Sequence, residues 1–258
     1  MKLSVVIPAR NEEGAVQETV VVLLGTLRAE AIPCEIIVVD DGSTDKTAFV
    51  VRALTTRYPE IRLIQNKGRH GFGMAVRCGL QEATGEAVAI VMADSSDSPE
   101  DVVKCYRRLL EGPDCVFGSR FIRGSKVRDY PIHKLILNRL ANWFIRALFG
   151  IPFNDFTNAF KLYRREVIEG IQALIAPHFN LTVEMPLKAI IRGYSFAVVP
   201  ISWTNRQTGI SKLKIKEMGS RYLFIVLYLW LEKHLARGDY HRQHSTEQHQ
   251  AGLNTHHV

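Results

Sequence analysis

Ile36-Ile37-Val38-Val39-Asp40-Asp41-Gly42-Ser43-Thr44-Asp45 decides how this chain is read. Its four apolar, mostly β-branched residues predict a strand buried on both faces, as in the middle of a parallel sheet. The paired carboxylates, the glycine and the Ser-Thr-Asp that follow predict a sharp turn into a capped helix. Asp40 and Asp41 then lie at the carboxyl end of a central strand, where open α/β sheets take their ligands. Adjacent carboxylates repel. Such a tip calls for a cation, a donor-rich ligand such as a nucleotide base or ribose, or nearby Arg and Lys.

Outward from that stretch, strands and helices alternate. Leu3 to Ile7 is a short strand stopped by Pro8, and Ala9 to Glu13 turns into a helix carrying Val16, Val20, Leu23, Leu24 and Leu27 at helical spacing. Beyond strand Glu35 to Val39, a helix is expected from about Asp45 to Arg57, then strand Ile61 to Gln65. A glycine-rich loop, Asn66 to Gly73, leads into a helix through Met74 to Ala83. Strand Ala87 to Met92 enters Ala93-Asp94-Ser95-Ser96-Asp97-Ser98-Pro99, where Ser98 is expected to cap and Pro99 to begin another helix. Strand Cys115 to Gly118 completes the run. This rhythm implies right-handed βαβ units and an α/β, mainly parallel sheet with helices on both faces. Asp94 and the Asp40-Asp41 pair then face one crevice, and convergent carboxylates there suit Mg²⁺ or Mn²⁺ held against a diphosphate. The glycine loop reads G-x-x-G-x-G and follows the third strand, not the first, which argues against a dinucleotide-binding fingerprint.

The 258 residues, 47% hydrophobic and 23% charged, suit one large domain or a domain with an appendage. A formal charge of +7 favours anionic partners: nucleic acid, a membrane surface or phosphorylated substrates. Cys34, Cys78, Cys105 and Cys115 lack metal-type spacing and read as free thiols of a reducing compartment. Met1-Lys2 opens directly into a strand, so no signal peptide is read and a cytoplasmic start is expected.

Four motifs in order carry a resemblance: Val6-Ile7-Pro8-Ala9-Arg10-Asn11-Glu12-Glu13, Val39 to Asp45, Gly71-Phe72-Gly73-Met74-Ala75, and Ala93 to Asp101. Together they resemble glycosyltransferase family 2, and most of all its polyprenyl-phosphate (dolichyl-phosphate mannose synthase-like) hexosyltransferase branch, over roughly Met1 to Lys216. The resemblance implies a GT-A, Rossmann-like fold. It places Pro8, Arg10, Glu12, Asp41, Gly68, Gly73 and Asp94 around the nucleotide-sugar. Asp94 matches the last Asp of a DxD-type motif and Ser96 a further oxygen ligand, so Asp94 and Ser96 are the expected holders of Mg²⁺ or Mn²⁺. Met92 stands where the first Asp belongs, and Asp97 is the residue expected to restore the charge.

The second half is basic. Arg120, Arg123, Lys126, Arg128, Lys134, Arg139 and Arg146 are opposed by Asp129 alone up to Gly150. Within about 123–149, Ile132, Leu135, Ile136, Leu140, Trp143, Phe144 and Ala147 follow helical spacing, with Lys134, Asn138 and Asn142 on another face and Arg139 and Arg146 flanking. Such a helix fits a membrane interface, or packs on the sheet with a solvated basic face. By resemblance, Arg120, Lys134 and Asn138 meet the acceptor phosphate and Asp155 faces the acceptor side. Glu184 matches another acidic position. By the same resemblance Arg206 and Lys212, in an R-x-x-G-x-S-K stretch, are expected to close over the donor diphosphate; Val198 to Lys216 contains no acidic residue.

Tyr222 to Leu231 is the most hydrophobic run, too short at ten residues to span a bilayer. It reads as the centre of an interfacial amphipathic helix over 217–237, or as a contact for a membrane protein or second copy through 221–235. From Gly238 the His-rich tail is expected to be disordered. These readings converge on a peripheral enzyme at the inner membrane face that moves a hexose, with inversion, from a GDP- or UDP-sugar to a polyprenyl phosphate. A hydroxyl acceptor, needing Asp155 as general base, is the alternative, and a weakly catalytic donor-binding scaffold is the second. Nucleic acid is the more distant partner.

Overall fold

The computed structural model describes residues 1–205 and 215–242, the side chains of 215–218 excepted. The first half forms β1 (Leu3–Ala9), α1 (Val16–Ala29), β2 (Cys34–Asp40), α2 (Thr47–Thr55), β3 (Ile61–Gln65), α3 (Phe72–Glu82), β4 (Ala87–Ile90), α4 (Pro99–Leu110) and β5 (Cys115–Ser119). The second adds β6 (Lys126–Arg128), α5 (Ile132–Phe149), β7 (Lys161–Arg164), α6 (Arg165–Gly170), α7 (Leu181–Ile191), β8 (Phe196–Pro200), β9 (Ser202–Thr204) and α8 (Ile215–Leu235).

Seven strands make one sheet in the order β3-β2-β1-β4-β7-β5-β8, and β6 pairs with β9 in a small second one. The large sheet is mainly parallel, with β7 inserted antiparallel between β4 and β5. Strand order reverses between β1 and β4, which brings the ends of β1, β2, β4 and β5 to one edge. Pro8 does not stop β1. Pairing with β4 ends at Val6↔Ile90 while pairing with β2 runs on to Ala9↔Asp40, so the N–H that proline lacks lies on the side where the ladder has already finished.

Alternation along the strands supplies an apolar layer to each face. Val5, Ile7, Ile36 and Val38 meet Leu23 and Leu27 of α1, Val51 of α2 and Leu109 of α4. On the other face Val6, Ile37, Val39 and Phe117 meet Val76 of α3, Ile145 of α5, Leu187 of α7 and Ile225 of α8. Each such side chain contributes roughly 1.5–3 kcal/mol by leaving water, and these layers hold the strand tips in place.

Ser98 is the N-cap residue of α4 with Pro99 behind it, but its hydroxyl bonds the Glu100 carboxylate and caps no backbone N–H. The C-terminal helix also departs from expectation. Ile225, Val226 and Leu229 are buried in the main core while Leu223, Phe224, Leu227 and Leu231 are exposed, so α8 is apolar on its inner and outer faces and is not amphipathic. Arg192, which caps α7, bonds Glu232 at 2.7 Å, and Lys233 Nζ bonds the Phe149 carbonyl at 2.6 Å. The tail expected to be disordered from 238 is docked as far as Arg242, which pairs with Asp114 at 3.0 Å. Among the described residues no helix is long and apolar enough to cross a membrane.

Candidate active site

At the tip of β2 the two carboxylates do different jobs. Asp40 turns back to accept the Ser43 N–H at 3.1 Å and closes the turn. Asp41 accepts from Asn66 Nδ2 at 2.7 Å and from the Gly71 N–H at 2.8 Å, with His70 Nδ1 at 3.3 Å and the Arg10 guanidinium at 4.0 Å. The protein's own donors therefore relieve the repulsion between the pair, and the glycine loop is wrapped around Asp41. Glu12 sits beside this turn, its N–H bonding Thr47 Oγ1 at 2.8 Å. Gly68 is exposed and donates its N–H to Asn66 Oδ1 at 3.1 Å. Gly73 is buried, and a Cβ there would stand 2.3 Å from the Ala176 carbonyl. Gly73 was expected at the nucleotide-sugar; it is a packing glycine that lets α3 dock on the 176–178 segment.

Across the crevice, Met92 is half-buried and its N–H donates to Asp97 Oδ2 at 3.0 Å. Asp94 Oδ1 accepts the Ser96 N–H at 3.2 Å, a tight turn that puts Ser95 at φ 57°. Asp97, expected to restore the charge missing at Met92, has its Oδ2 engaged by the Met92 N–H. It is buried and turned back to the chain, and burial pushes its carboxyl up to about 7, with Asp94 adding to the rise and the Met92 N–H opposing it. Among the described residues, no three His, Cys, Asp or Glu side chains gather as a metal centre. Mg²⁺ commonly needs only one or two carboxylates when substrate phosphates and waters complete its shell, and Asp94 with Ser96 fits that limited role.

At the end of β5, Arg120 and Asp155 form a buried, bidentate ion pair: Nη2 to Oδ1 at 2.7 Å, Nε to Oδ2 at 2.9 Å, and the Arg120 N–H to Oδ2 at 2.9 Å. Phe121, Tyr130 and Trp203 present their rings to the guanidinium at 5.3, 5.5 and 5.6 Å. Arg120, expected on the acceptor phosphate, is thus engaged by protein. Asp155 likewise has both oxygens occupied by Arg120. Lys161 is buried against the Phe156 and Asn158 carbonyls, and burial lowers its ammonium to about 7. Glu184 pairs with Lys188 at 2.9 Å and accepts the Ile175 and Ala176 N–H groups, a structural role inside α7.

The orientation of α5 reverses the usual arrangement of a surface helix. Asn142, Ile145 and Phe149 are buried, whereas Ile132, Ile136, Leu137, Leu140, Trp143 and Phe144 are exposed, Trp143 to 66%. The polar stripe faces inward because it has partners there. Asn138 Nδ2 donates to Tyr130 Oη at 2.7 Å, Thr157 Oγ1 donates to Asn138 Oδ1 at 2.8 Å, and Asn142 Oδ1 accepts the Phe156 N–H at 2.6 Å. Buried amides require such partners. Asn138, expected at the acceptor phosphate, is consumed by this network, and Lys134 is half-buried on the same side. A solvated basic face opposite an apolar packing face is therefore not what α5 presents.

Residues 4–171 match the model of the family described as glycosyl transferase family 2. The chain belongs to glycosyl transferase family 2. Among this transferase's relatives, polyprenol monophosphomannose synthase of Mycolicibacterium smegmatis is 32% identical over 215 residues, covering 81% of this chain and 80% of that protein. Dolichol-phosphate mannosyltransferase of Pyrococcus furiosus is 32% identical over 221 residues; the match covers 84% of this chain and 60% of the longer relative. Glucosyl-3-phosphoglycerate synthase from Mycobacterium tuberculosis, crystallised with Mn²⁺, uridine diphosphate and phosphoglyceric acid, superposes with a TM-score of 0.66 at 22% identity. That overlap covers 90% of this chain and 78% of the solved one and shows a common GT-A fold.

In this family 2 enzyme Arg10, Asp41, Asp94 and Arg120 follow the carboxyl ends of β1, β2, β4 and β5, which lie along one edge of the sheet, and Asp155 is held there by Arg120. Arg206 and Lys212 lie outside the described residues. Tyr130, Trp203, Asn142 and Thr157, which hold Arg120 and α5, are not singled out as site residues by the sequence. Only the mutual positions of β6, β9 and α5 bring them together.

Proposed function

We propose that this glycosyltransferase moves a hexose from a GDP- or UDP-sugar to a polyprenyl phosphate, with inversion, as a peripheral protein on the cytoplasmic face of a membrane. The observation that carries the reading is the orientation of α5. An exposed arc of Ile132, Ile136, Leu140, Trp143 and Phe144 has no place in water, and it suits insertion among lipid chains beside an acceptor whose own tail lies in the bilayer. The exposed Arg123, Lys126 and Arg128 just before it suit anionic headgroups and the acceptor phosphate. The names of the two 32%-identical relatives support the same acceptor class.

The chemistry is compatible with the residues present. A phosphate monoester is already an anion near neutral pH, with a second pKa of about 6, so no strong general base is needed. Asp155, whose oxygens are both bound by Arg120, need not serve as one. For the same reason a hydroxyl acceptor, which does need a base, is the weaker reading. Asp94 and Ser96 would hold Mg²⁺ or Mn²⁺, which would neutralise charge on the departing diphosphate. Arg10 and Asp41 would flank the nucleotide, and Arg206 and Lys212 are the further cations for the diphosphate.

The test is transfer of radiolabelled sugar from a panel of GDP- and UDP-sugars, with Mg²⁺ or Mn²⁺, into a chloroform-extractable polyprenyl-phosphate product. A mild-acid-labile lipid product is expected. Donor consumption without it would move the acceptor to a hydroxyl, and no turnover with any donor would leave the scaffold reading.

A further inference from the structure

Trp203 touches both halves of the site. Its strand, β9, pairs in parallel with β6, setting Trp203 opposite Val127. On the donor side its backbone forms an antiparallel bridge with Asp97, and the neighbouring Thr204 N–H donates to the Ser96 carbonyl at 3.2 Å, so β9 is attached to the turn that carries Asp94. On the acceptor side the indole lies 4.8 Å from the Tyr130 ring and 5.6 Å from the Arg120 guanidinium, within reach of a cation–π contact. Tyr130 Oη in turn accepts the Asn138 amide of α5 at 2.7 Å. One short strand thus links the Asp94 turn to the Arg120–Asp155 pair and to the helix whose outer face is apolar.

We infer that Trp203 is a positioning residue that couples occupancy of the nucleotide side to affinity for the prenyl phosphate, so that each ligand tightens the other. The inference rests on the acceptor reading above. A displacement of Ser96 and Asp97 on binding a nucleotide and its cation moves β9, and the indole carries that movement to Arg120 and Tyr130. Coupling between two binding sites is reciprocal, so the factor is the same whichever ligand is added first.

The experiment is calorimetric titration of the full chain with a short-chain, water-soluble prenyl phosphate, with and without saturating nucleoside diphosphate and Mg²⁺, using whichever of GDP and UDP binds. The wild type is expected to show at least about fivefold tightening, the low end of ordinary coupling. Trp203→Phe, which keeps a ring, retains most of it; Trp203→Leu brings the factor to about one while each ligand alone still binds. A merely structural role would lower the melting temperature and weaken both ligands without changing the factor. Coupling intact in folded Trp203→Leu overturns the inference, as does a wild-type factor of one. Should Trp203→Leu not fold, Trp203→Met keeps the bulk without the ring, and intact coupling there overturns it equally. Absence of any prenyl-phosphate binding by the wild type sinks the acceptor reading and the inference with it, whereas normal binding with an unchanged factor in the variants sinks the inference alone.

Discussion

Asp155→Ala tests whether the Arg120 pair is the frame of the acceptor side. Asp155 has no exposed side-chain surface and Arg120 only 7%, and three hydrogen bonds of 2.7–2.9 Å join them. Removing the carboxylate leaves a guanidinium and a backbone N–H buried without that partner, a change that costs roughly 3–5 kcal/mol. At about 2–4 °C per kcal/mol for a chain near this size, the melting temperature should fall by roughly 6–20 °C. Differential scanning fluorimetry reads this, alongside sugar transfer. The double variant Arg120→Met with Asp155→Leu removes both charges, and apolar replacement of a buried pair is often neutral or better, so most of the stability should return. Transfer should not return, because the clamp that sets Tyr130, Trp203 and the 154–158 loop is gone. A loss under about 1 kcal/mol in Asp155→Ala, the scale of an exposed pair, would refute the reasoning.

Asp94→Ala should abolish transfer and leave the melting curve close to wild type; turnover at the normal rate would remove Asp94 from the proposed metal and diphosphate site. Leu140→Asp and Trp143→Asp lie on exposed positions, so stability should stay within about 0.5 kcal/mol. Co-sedimentation with anionic vesicles should weaken by roughly 10- to 100-fold, since each side chain forfeits about 1.5–3 kcal/mol of burial. Gly73→Ala puts a methyl 2.3 Å from a backbone carbonyl and should cost roughly 1–3 kcal/mol in urea titration. Burial alone would raise the Glu35 carboxyl, but hydrogen bonds from Ser4 and Thr84 hold it at about 2. A depressed carboxylate stabilises the fold above its unfolded value of about 4.3 and loses that effect as pH falls through 2. Glu35→Gln should therefore melt below wild type at pH 7, with the gap closing between about pH 4 and 2; a constant gap would contradict this.

The α/β architecture was legible because strands buried on both faces are written as unbroken apolar runs. Ile36 to Val39 and Val5 to Ile7 needed no partner to be recognised, and the ends of these runs located Asp41 and Asp94. β7 was not legible. Lys-Leu-Tyr-Arg is four residues long with charged ends, and its buried lysine is tolerated only because carbonyls of the preceding loop surround it. Gly73 was legible as a special residue but not for its reason, since the carbonyl it admits comes from residue 176. The protein partners of Arg120 and Asn138 were not legible, because a cation or an amide near a site looks the same in sequence whether its partner is a ligand or Asp155 and Tyr130.

Helix α5 divides the two kinds of information. Helical spacing alone determined that Ile132, Ile136, Leu140, Trp143 and Phe144 share one face and Lys134, Asn138 and Asn142 another, because 3.6 residues per turn is a property of the backbone. Which face meets water was decided by tertiary structure. The Phe156 N–H and the Thr157 hydroxyl lie in a separate loop, and packing that loop against α5 without the Asn142 and Asn138 amides would leave polar groups unpaired.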